Sequence, residues 1–332
     1  MRILIALGGN ALLRRGQIPD SENQQANIET AARAIAAVAR EHEVIVTHGN
    51  GPQVGLLALE SAADHALTHP YPLDVLGAET QGMIGYLLAQ ALRNELPQGR
   101  EVATVVTETL VSGTDPAFAA PTKFVGPVYG KEEAEHLAAE RGYTIAQDGP
   151  NWRRVVASPE PQGIVEAQTI RAMIADGILV ICAGGGGAPV VRDQSTSTLR
   201  GVEAVVDKDL TAEVLAELLD ADMLVLLTDV PNVQRGYGTD HPENLRTTTP
   251  DELAADHFAA GSMGPKIEAA CRFVAMTGRP AAIGALDDAP AVIRGEAGTR
   301  IQASPAGGGL FSPDASRQGA PGWEVRPVTA AY

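Results

Sequence analysis

The chain has 332 residues, 45% of them hydrophobic and 20% charged, with a formal net charge of −16. That length can bury a core without disulfide or metal staples, and no apolar run reaches the roughly 18 residues that span a bilayer. So acidic a surface repels nucleic acid and anionic lipid, which leaves a cytoplasmic globular protein acting on small molecules as the expectation.

Residues 3–7 predict a buried strand and are too short for the apolar core of a secretion signal. Ser21-Glu22-Asn23-Gln24 has the capping-box pattern, and Ile28, Ala31, Ile35 and Val38 follow at helical spacing. A strand over 44–47, a helix opened by Pro52 over 52–63, a long helix over 74–96 and a strand over 102–107 complete an alternating first half. Pro116, Pro121, Pro127, Pro150, Pro159 and Pro161 then break the rhythm between 112 and 161. Within that stretch, 143–146 and 153–157 read as short strands joined by Gln147-Asp148-Gly149-Pro150-Asn151. The excursion is either a plain surface hairpin or a lid over a site. Alternation resumes with a helix over 165–175, strands over 178–183 and 223–227, helices over 208–219, 250–260 and 265–277, and a strand over 281–284. The core is expected to end near 301. Residues 302–332, rich in Gly, Pro, Ser and Ala, read as a mobile tail. This order predicts the α/β class, a sheet covered by helices on both faces. Cys182 and Cys271, the two cysteines, read as buried reduced thiols.

Three glycine-rich loops each follow a predicted strand: Gly8-Gly9-Asn10, Gly49-Asn50-Gly51 and Gly184 to Gly187. One such loop reads as a tight turn. Three at the carboxyl edge of one parallel sheet predict a bound polyanion, because glycine lets backbone N–H groups approach phosphate closely. Neither the P-loop pattern nor G-x-G-x-x-G is present, since Pro189 interrupts the third loop. No cluster has metal-ligand spacing and no Gly-x-Ser-x-Gly elbow occurs, so no protein metal site or serine hydrolase is expected.

Of the 25 basic residues only Lys123, Lys131, Lys208 and Lys266 are lysine. A lysine kept in an arginine-rich chain marks a place for a compact ammonium. Lys131 opens a helix-like run and needs no other role. Asp207-Lys208-Asp209 begins a predicted helix; two carboxylates would hold Lys208 charged and in place, although acids at an exposed helix N-terminus explain the same pattern. Gly261-Ser262-Met263-Gly264-Pro265-Lys266 leads into another helix, with Pro265 at its first position aiming Lys266 at a ligand. Lys123 lies in the excursion, where a lid would carry it onto substrate. Phosphoryl transfer needs positioning and positive charge more than covalent chemistry. An acceptor that is already anionic needs no catalytic base, and His48 reads as structural.

Taken together, Ile3 to Ala11, Thr47 to Gly55, Pro121-Thr122-Lys123, Trp152 to Pro159, Gly184 to Pro189, Val206 to Asp209, Leu227 to Val230 and Ala260 to Lys266 resemble the carbamate kinases of the amino-acid kinase family. The resemblance runs in one order over about residues 1–300. It implies an open, mostly parallel αβα sandwich with a small protruding subdomain over 112–161, and reversible phosphoryl transfer between ATP and carbamate with Mg²⁺, by a homodimer. In that reading Gly8, Gly9, Asn10, Gly49, Asn50 and Gly51 hold carbamate and the transferring group. Lys208 and Lys266 neutralise phosphate charge, Asp207 and Asp209 orient Lys208, and Lys123 reaches in from the protruding subdomain. Gly184, Gly185, Asp229, Val230, Tyr237, Met263 and Lys266 serve the nucleotide. Phe124 stands where the family resemblance leads one to expect a proline, and Val128 where an aromatic is expected. Two rival readings keep the fold: an amino-acid carboxylate as acceptor, or a nucleotide sensor without turnover.

Overall fold

After its first residue β1 (Arg2–Leu7) carries no polar side chain, and Ile3 to Leu7 are at most 1% exposed. A strand apolar on both sides belongs inside a sheet covered on both faces. The computed structural model places it there; it describes residues 1–304 apart from 14–16, 19, 65, 240, 255, 257 and 259–262. Residues 305–332 of the expected tail, and Gly261 and Ser262, lie outside the described residues.

In chain order, β1 is followed by α1 (Gly9–Leu12), α2 (Ser21–Ala39), β2 (Glu43–His48), α3 (Gly51–Ala63), α4 (Leu73–Glu95), β3 (Val102–Thr104) and β4 (Glu108–Val111). Next come β5 (Lys123–Tyr129), α5 (Lys131–Arg141), β6 (Ile145–Asp148), β7 (Asn151–Val156) and β8 (Pro161–Ile164). Then α6 (Ala167–Ala175), β9 (Leu179–Ile181), β10 (Ala188–Arg192), β11 (Leu199–Gly201), α7 (Lys208–Leu218) and β12 (Met223–Thr228) follow. The chain continues through β13 (Gln234–Arg235), β14 (Glu243–Asn244), β15 (Thr247–Thr248), α8 (Pro250–Ala254) and α9 (Met263–Thr277). It closes with β16 (Ala281–Ala285), α10 (Ala289–Arg294) and β17 (Thr299–Ile301).

Among the described residues, eight strands form one sheet in the order β15-β17-β16-β12-β1-β2-β9-β3. All its pairs are parallel except β16 with β17. Side chains alternate across it as the two-residue period requires. Ile3, Ile5, Leu7, Val44, Val46, Val225 and Leu227 face α2, α4 and α10. Leu4, Ala6, Ile45, Leu224, Leu226 and Ile283 face α6, α7 and α9. The result is the mostly parallel α/β sandwich expected from the sequence. Cys182 and Cys271 are both buried and free, and burial pushes both thiols up, Cys271 to about 12. Among the described residues no helix is long and apolar enough to cross a membrane.

Four shorter strands form a second sheet, β11-β10-β4-β8, which the sequence did not disclose. β8 and β10 contain Pro161 and Pro189, residues that argue against a strand until the edge or bend they occupy is known. The strand expected over 102–107 stops at Thr104 in β3, and β4 of the small sheet begins only at Glu108. The hairpin is tighter than expected, with Gln147, Asp148 and Asn151 inside strands and the turn confined to Gly149-Pro150. The helix expected over 250–260 ends at Ala254 in α8. The helix expected from 265 starts at Met263, so Pro265 stands third in α9.

Between β4 and β8 the chain leaves the body and returns. There β5, β7 and β6 form a three-stranded antiparallel sheet. Val125 and Val156 of that sheet pack on Val54, Leu73 and Leu76 of α3 and α4. A Cβ added to Gly55 would lie 2.9 Å from the Gly126 Cα, so two glycines let backbone touch backbone at this seam.

Candidate active site

β12, β1, β2 and β9 are adjacent and parallel, so the loops after them emerge at one edge of the sheet. Ligands of open α/β sheets bind at that carboxyl edge. Gly8 follows β1, Gly49 follows β2, Gly184 follows β9 and Asp229 follows β12. A Cβ on Gly49 would lie 3.0 Å from the Gly9 backbone and 3.5 Å from Cε of Lys208, so the first two loops meet beside that lysine.

Not every amide there is free for an anion. Gly8 donates its N–H to the Leu227 carbonyl at 2.8 Å and Gly49 donates to Leu7 at 3.1 Å, which extends the sheet. Those two residues therefore shape the loops rather than present their amides. Gly9 and Gly51 stand at the first positions of α1 and α3, whose amides have no intrahelical acceptor, and a Cβ at either would meet open space. The backbone of Asn10 lies in α1, and its side chain is outside the described residues.

The third loop is a turn of 3₁₀ helix at Gly184–Gly186 behind the first two. Glycine is required here: Gly185 has φ +66° and a Cβ on it would lie 2.1 Å from Nδ2 of Asn50. A Cβ on Gly184 would strike the His48 ring at 2.4 Å. Both glycines are buried, packed against His48 and Asn50. Ala183, just before, holds the left-handed conformation without being glycine (φ 51°).

A layer of buried polar residues keeps this turn in place, and the sequence reading missed it. Thr47 Oγ1 donates to the Ala183 carbonyl at 2.8 Å, and Ala183 donates its N–H to Thr107 Oγ1 at 3.0 Å. Thr109 Oγ1 donates to the Gly186 carbonyl at 2.7 Å. Gln81 exchanges two hydrogen bonds with the Thr107 backbone, and Asn50 Nδ2 donates to Thr80 Oγ1 at 2.8 Å. Threonine at strand ends is common, so nothing in the linear pattern marks these residues. His48 is fully buried, with Nδ1 3.0 Å from the Gly49 carbonyl. Burial pulls its pKa down to about 4, the Gly49 carbonyl opposes this, and Lys208 adds to it; the ring is neutral at pH 7.

The charged residues singled out from sequence converge at this edge. Lys208 and Asp209 lie in the first turn of α7, and the Lys208 ammonium sits 2.5 Å from Asp209 Oδ1. Lys266 in the first turns of α9 reaches the other oxygen of the same carboxylate at 3.1 Å. Lys123, at the start of β5, lies 2.6 Å from Asp207 Oδ2. Of the two acids expected to hold Lys208, Asp209 bonds it and Asp207 favours its charge only through space. Asp207 caps α7 by accepting the N–H groups of Asp209 and Leu210 through Oδ1, and its other oxygen takes Lys123. A cap must sit outside the helix, which turns its side chain away from the next residue. Burial alone would raise the Asp207 carboxyl, yet Lys123 and then Lys208 hold it at about 2. Burial lowers the Lys208 pKa; Asp209 opposes this and the neighbouring Lys266 adds to it.

Around this cluster, Asp229 and Val230 directly follow β12, with Thr228 Oγ1 donating to Asp229 Oδ1 at 3.0 Å. Met263 opens α9 and packs on the core face shared with α7. Tyr237 lies between β13 and β14 and is 77% exposed. Lys131 pairs with Glu135 at 3.8 Å on an exposed helix face. Among the described residues no group of three His, Cys, Asp or Glu side chains could hold a metal.

The profile of the amino acid kinase family matches residues 1–285. A carbamate kinase of Rhizobium meliloti is 54% identical over 305 residues, spanning 92% of this chain and 94% of its own. One of Haemophilus influenzae is 50% identical over 301 residues, 91% of this chain and 96% of its own. The crystal structure of the Giardia lamblia carbamate kinase bound to AMP-PNP superposes with a TM-score of 0.83 at 41% identity, covering 91% of this chain and 98% of that one. With a family profile over most of its length and relatives this similar end to end, the chain belongs to the amino acid kinase family.

Proposed function

We propose that this chain is a carbamate kinase, which moves a phosphoryl group reversibly between ATP and carbamate to give ADP and carbamoyl phosphate. What carries the reading is the convergence of Lys208 and Lys266 on Asp209 beside the glycine loops, in a chain half identical to carbamate kinases over nine-tenths of both lengths. In the forward direction a carbamate oxygen bonds to the γ-phosphorus as the bond from that phosphorus to the β–γ bridging oxygen breaks. The acceptor oxygen is already anionic, so no proton moves, which agrees with a neutral, buried His48.

Each residue then has a physical task. Lys208 and Lys266 stabilise the charge spread over the transferring group, as fixed cations do best in a partly dry site. Asp209 spaces the two ammoniums and keeps Lys208 protonated against burial. The first-turn amides of α1 and α3 face the acceptor and the phosphoryl group. Asp229, Val230 and Met263 flank the nucleotide, with Tyr237 able to meet it only from an exposed loop. Mg²⁺ would enter with the nucleotide and help to neutralise its phosphate charge. Residues 112–161 act as a lid that sets Lys123 on the site from β5, and 1–301 form the kinase domain. The working unit is a homodimer, supported by an uncovered apolar face. Leu56 and Leu59 of α3, Tyr71, and Val75, Met83 and Tyr86 along one face of α4 are all at least 36% exposed.

The deciding assay is ATP formation from ADP and carbamoyl phosphate by purified protein. Turnover is expected with this pair and not with phosphorylated N-acetylglutamate or glutamate. Turnover only with the amino-acid substrates, or tight ADP binding without any turnover, removes the assignment.

A further inference from the structure

We infer that Arg272 is a positioning residue which ties the lid to the helix carrying Lys266, and so sets Lys123 over the site. The inference rests on the phosphoryl-transfer reading above. Arg272 lies on α9 six residues beyond Lys266 and is 8% exposed. Its guanidinium donates to Glu160 through Nη1 and to Glu268, one helical turn earlier, through Nη2 at 2.5 Å. Glu160 belongs to the strand-free stem by which the excursion returns to β8. Its N–H donates to Asp115 Oδ2 at 2.9 Å, and Asp115 Oδ1 accepts from Ala117 on the outgoing stem at 2.8 Å. The buried guanidinium therefore holds the return stem directly, and the outgoing stem through the Glu160 N–H bond to Asp115.

These contacts close a ring. From α9, Lys266 reaches Asp209 of α7; two residues earlier Asp207 holds Lys123, where the outgoing stem enters β5; Glu160 on the return stem comes back to Arg272 on α9. Among the described residues three ion pairs join the excursion to the rest of the chain, Lys123 with Asp207, Arg154 with Glu203 and Glu160 with Arg272. Only the last engages α9. A buried arginine with two carboxylates is costly to assemble and is retained where it specifies geometry. Phosphate oxygens that draw Lys266 from Asp209 act on the same rigid helix that anchors the lid. The return stem is thus tied to α9 directly, and Lys123 at the start of β5 is tied to it through α7.

The test replaces Arg272 with Met, similar in length and apolar, alone and in a Lys123→Met background. The expected result is a fall of at least tenfold in kcat with carbamoyl phosphate, with KM for ADP within threefold. In the Lys123→Met background the same change should lower kcat less than threefold further, because the lysine it positions is gone. Hydrogen exchange should quicken at least tenfold in 121–129 and 151–156 while β1 and β12 keep their protection. Effects that multiply, or unchanged lid exchange, overturn the inference. Should Arg272→Met not fold, Glu160→Gln, which leaves Arg272 its Glu268 partner, is read in the same way. A wild-type protein without transfer activity sinks the proposed function instead, and the exchange measurement then decides the lid coupling by itself.

Discussion

Four lysines in one chain have two different physical lives. The Lys208 and Lys266 side chains are 14% and 12% exposed and share one carboxylate, whereas the Lys131 side chain is 65% exposed and meets Glu135 at i,i+4. Removing one fixed cation that meets charge developing in a transition state costs about 3–4 kcal/mol, or 10²–10³ in rate. Lys208→Ala and Lys266→Ala should each lower kcat by that factor in the ADP plus carbamoyl phosphate assay. An exposed helical ion pair is worth only about 0.3–0.5 kcal/mol. Lys131→Ala should leave kcat untouched, and a large loss there would remove the reason for separating these lysines.

At the scale of elements, α7 joins stability to chemistry through its first three positions. Asp207 ends the preceding extended chain, supplies an acceptor to two first-turn amides and binds Lys123 with its other oxygen. Asparagine caps a helix about as well as aspartate but carries no charge, while alanine does neither. In urea unfolding, Asp207→Ala should be about 1 kcal/mol less stable than Asp207→Asn. The two variants should lose the same fraction of kcat, because each frees Lys123. Equal stabilities would show that the cap contributes nothing. The glycine turn at 184–186 is the other element whose form follows from contact, since Asn50 and His48 occupy the space where side chains would stand.

Over the whole molecule, an acidic surface surrounds one small group of three ammoniums and two carboxylates, so phosphate is drawn by local fields against a repulsive background. The apolar face on α3 and α4 is the other departure from an ordinary surface. Light scattering should report twice the chain mass, and Leu59→Glu with Tyr86→Glu should halve it by placing charge on that face. A wild-type monomer would leave those exposed side chains without the proposed partner.

Local pattern alone was enough for the alternating strands and helices, the three glycine loops and the separation of Lys131 from the other lysines, because each rests on spacing or turn chemistry within a few residues; the cap of α2 was read one residue late, since Asp20 and not Ser21 accepts the Asn23 N–H. The pairing of Asp207 with Lys123 rather than Lys208, the packing of Gly184 and Gly185 against His48 and Asn50, the second sheet and the threonine layer were decided only in three dimensions. Each joins residues tens of positions apart, such as Thr109 with Gly186 or Lys123 with Asp207, whose meeting depends on strand order and not on their neighbours in the chain. Glu160 and Arg272, 112 positions apart, show the same limit most plainly: two ordinary surface residues in the linear pattern become a half-buried carboxylate on a buried guanidinium once β8 and α9 are brought side by side with α7.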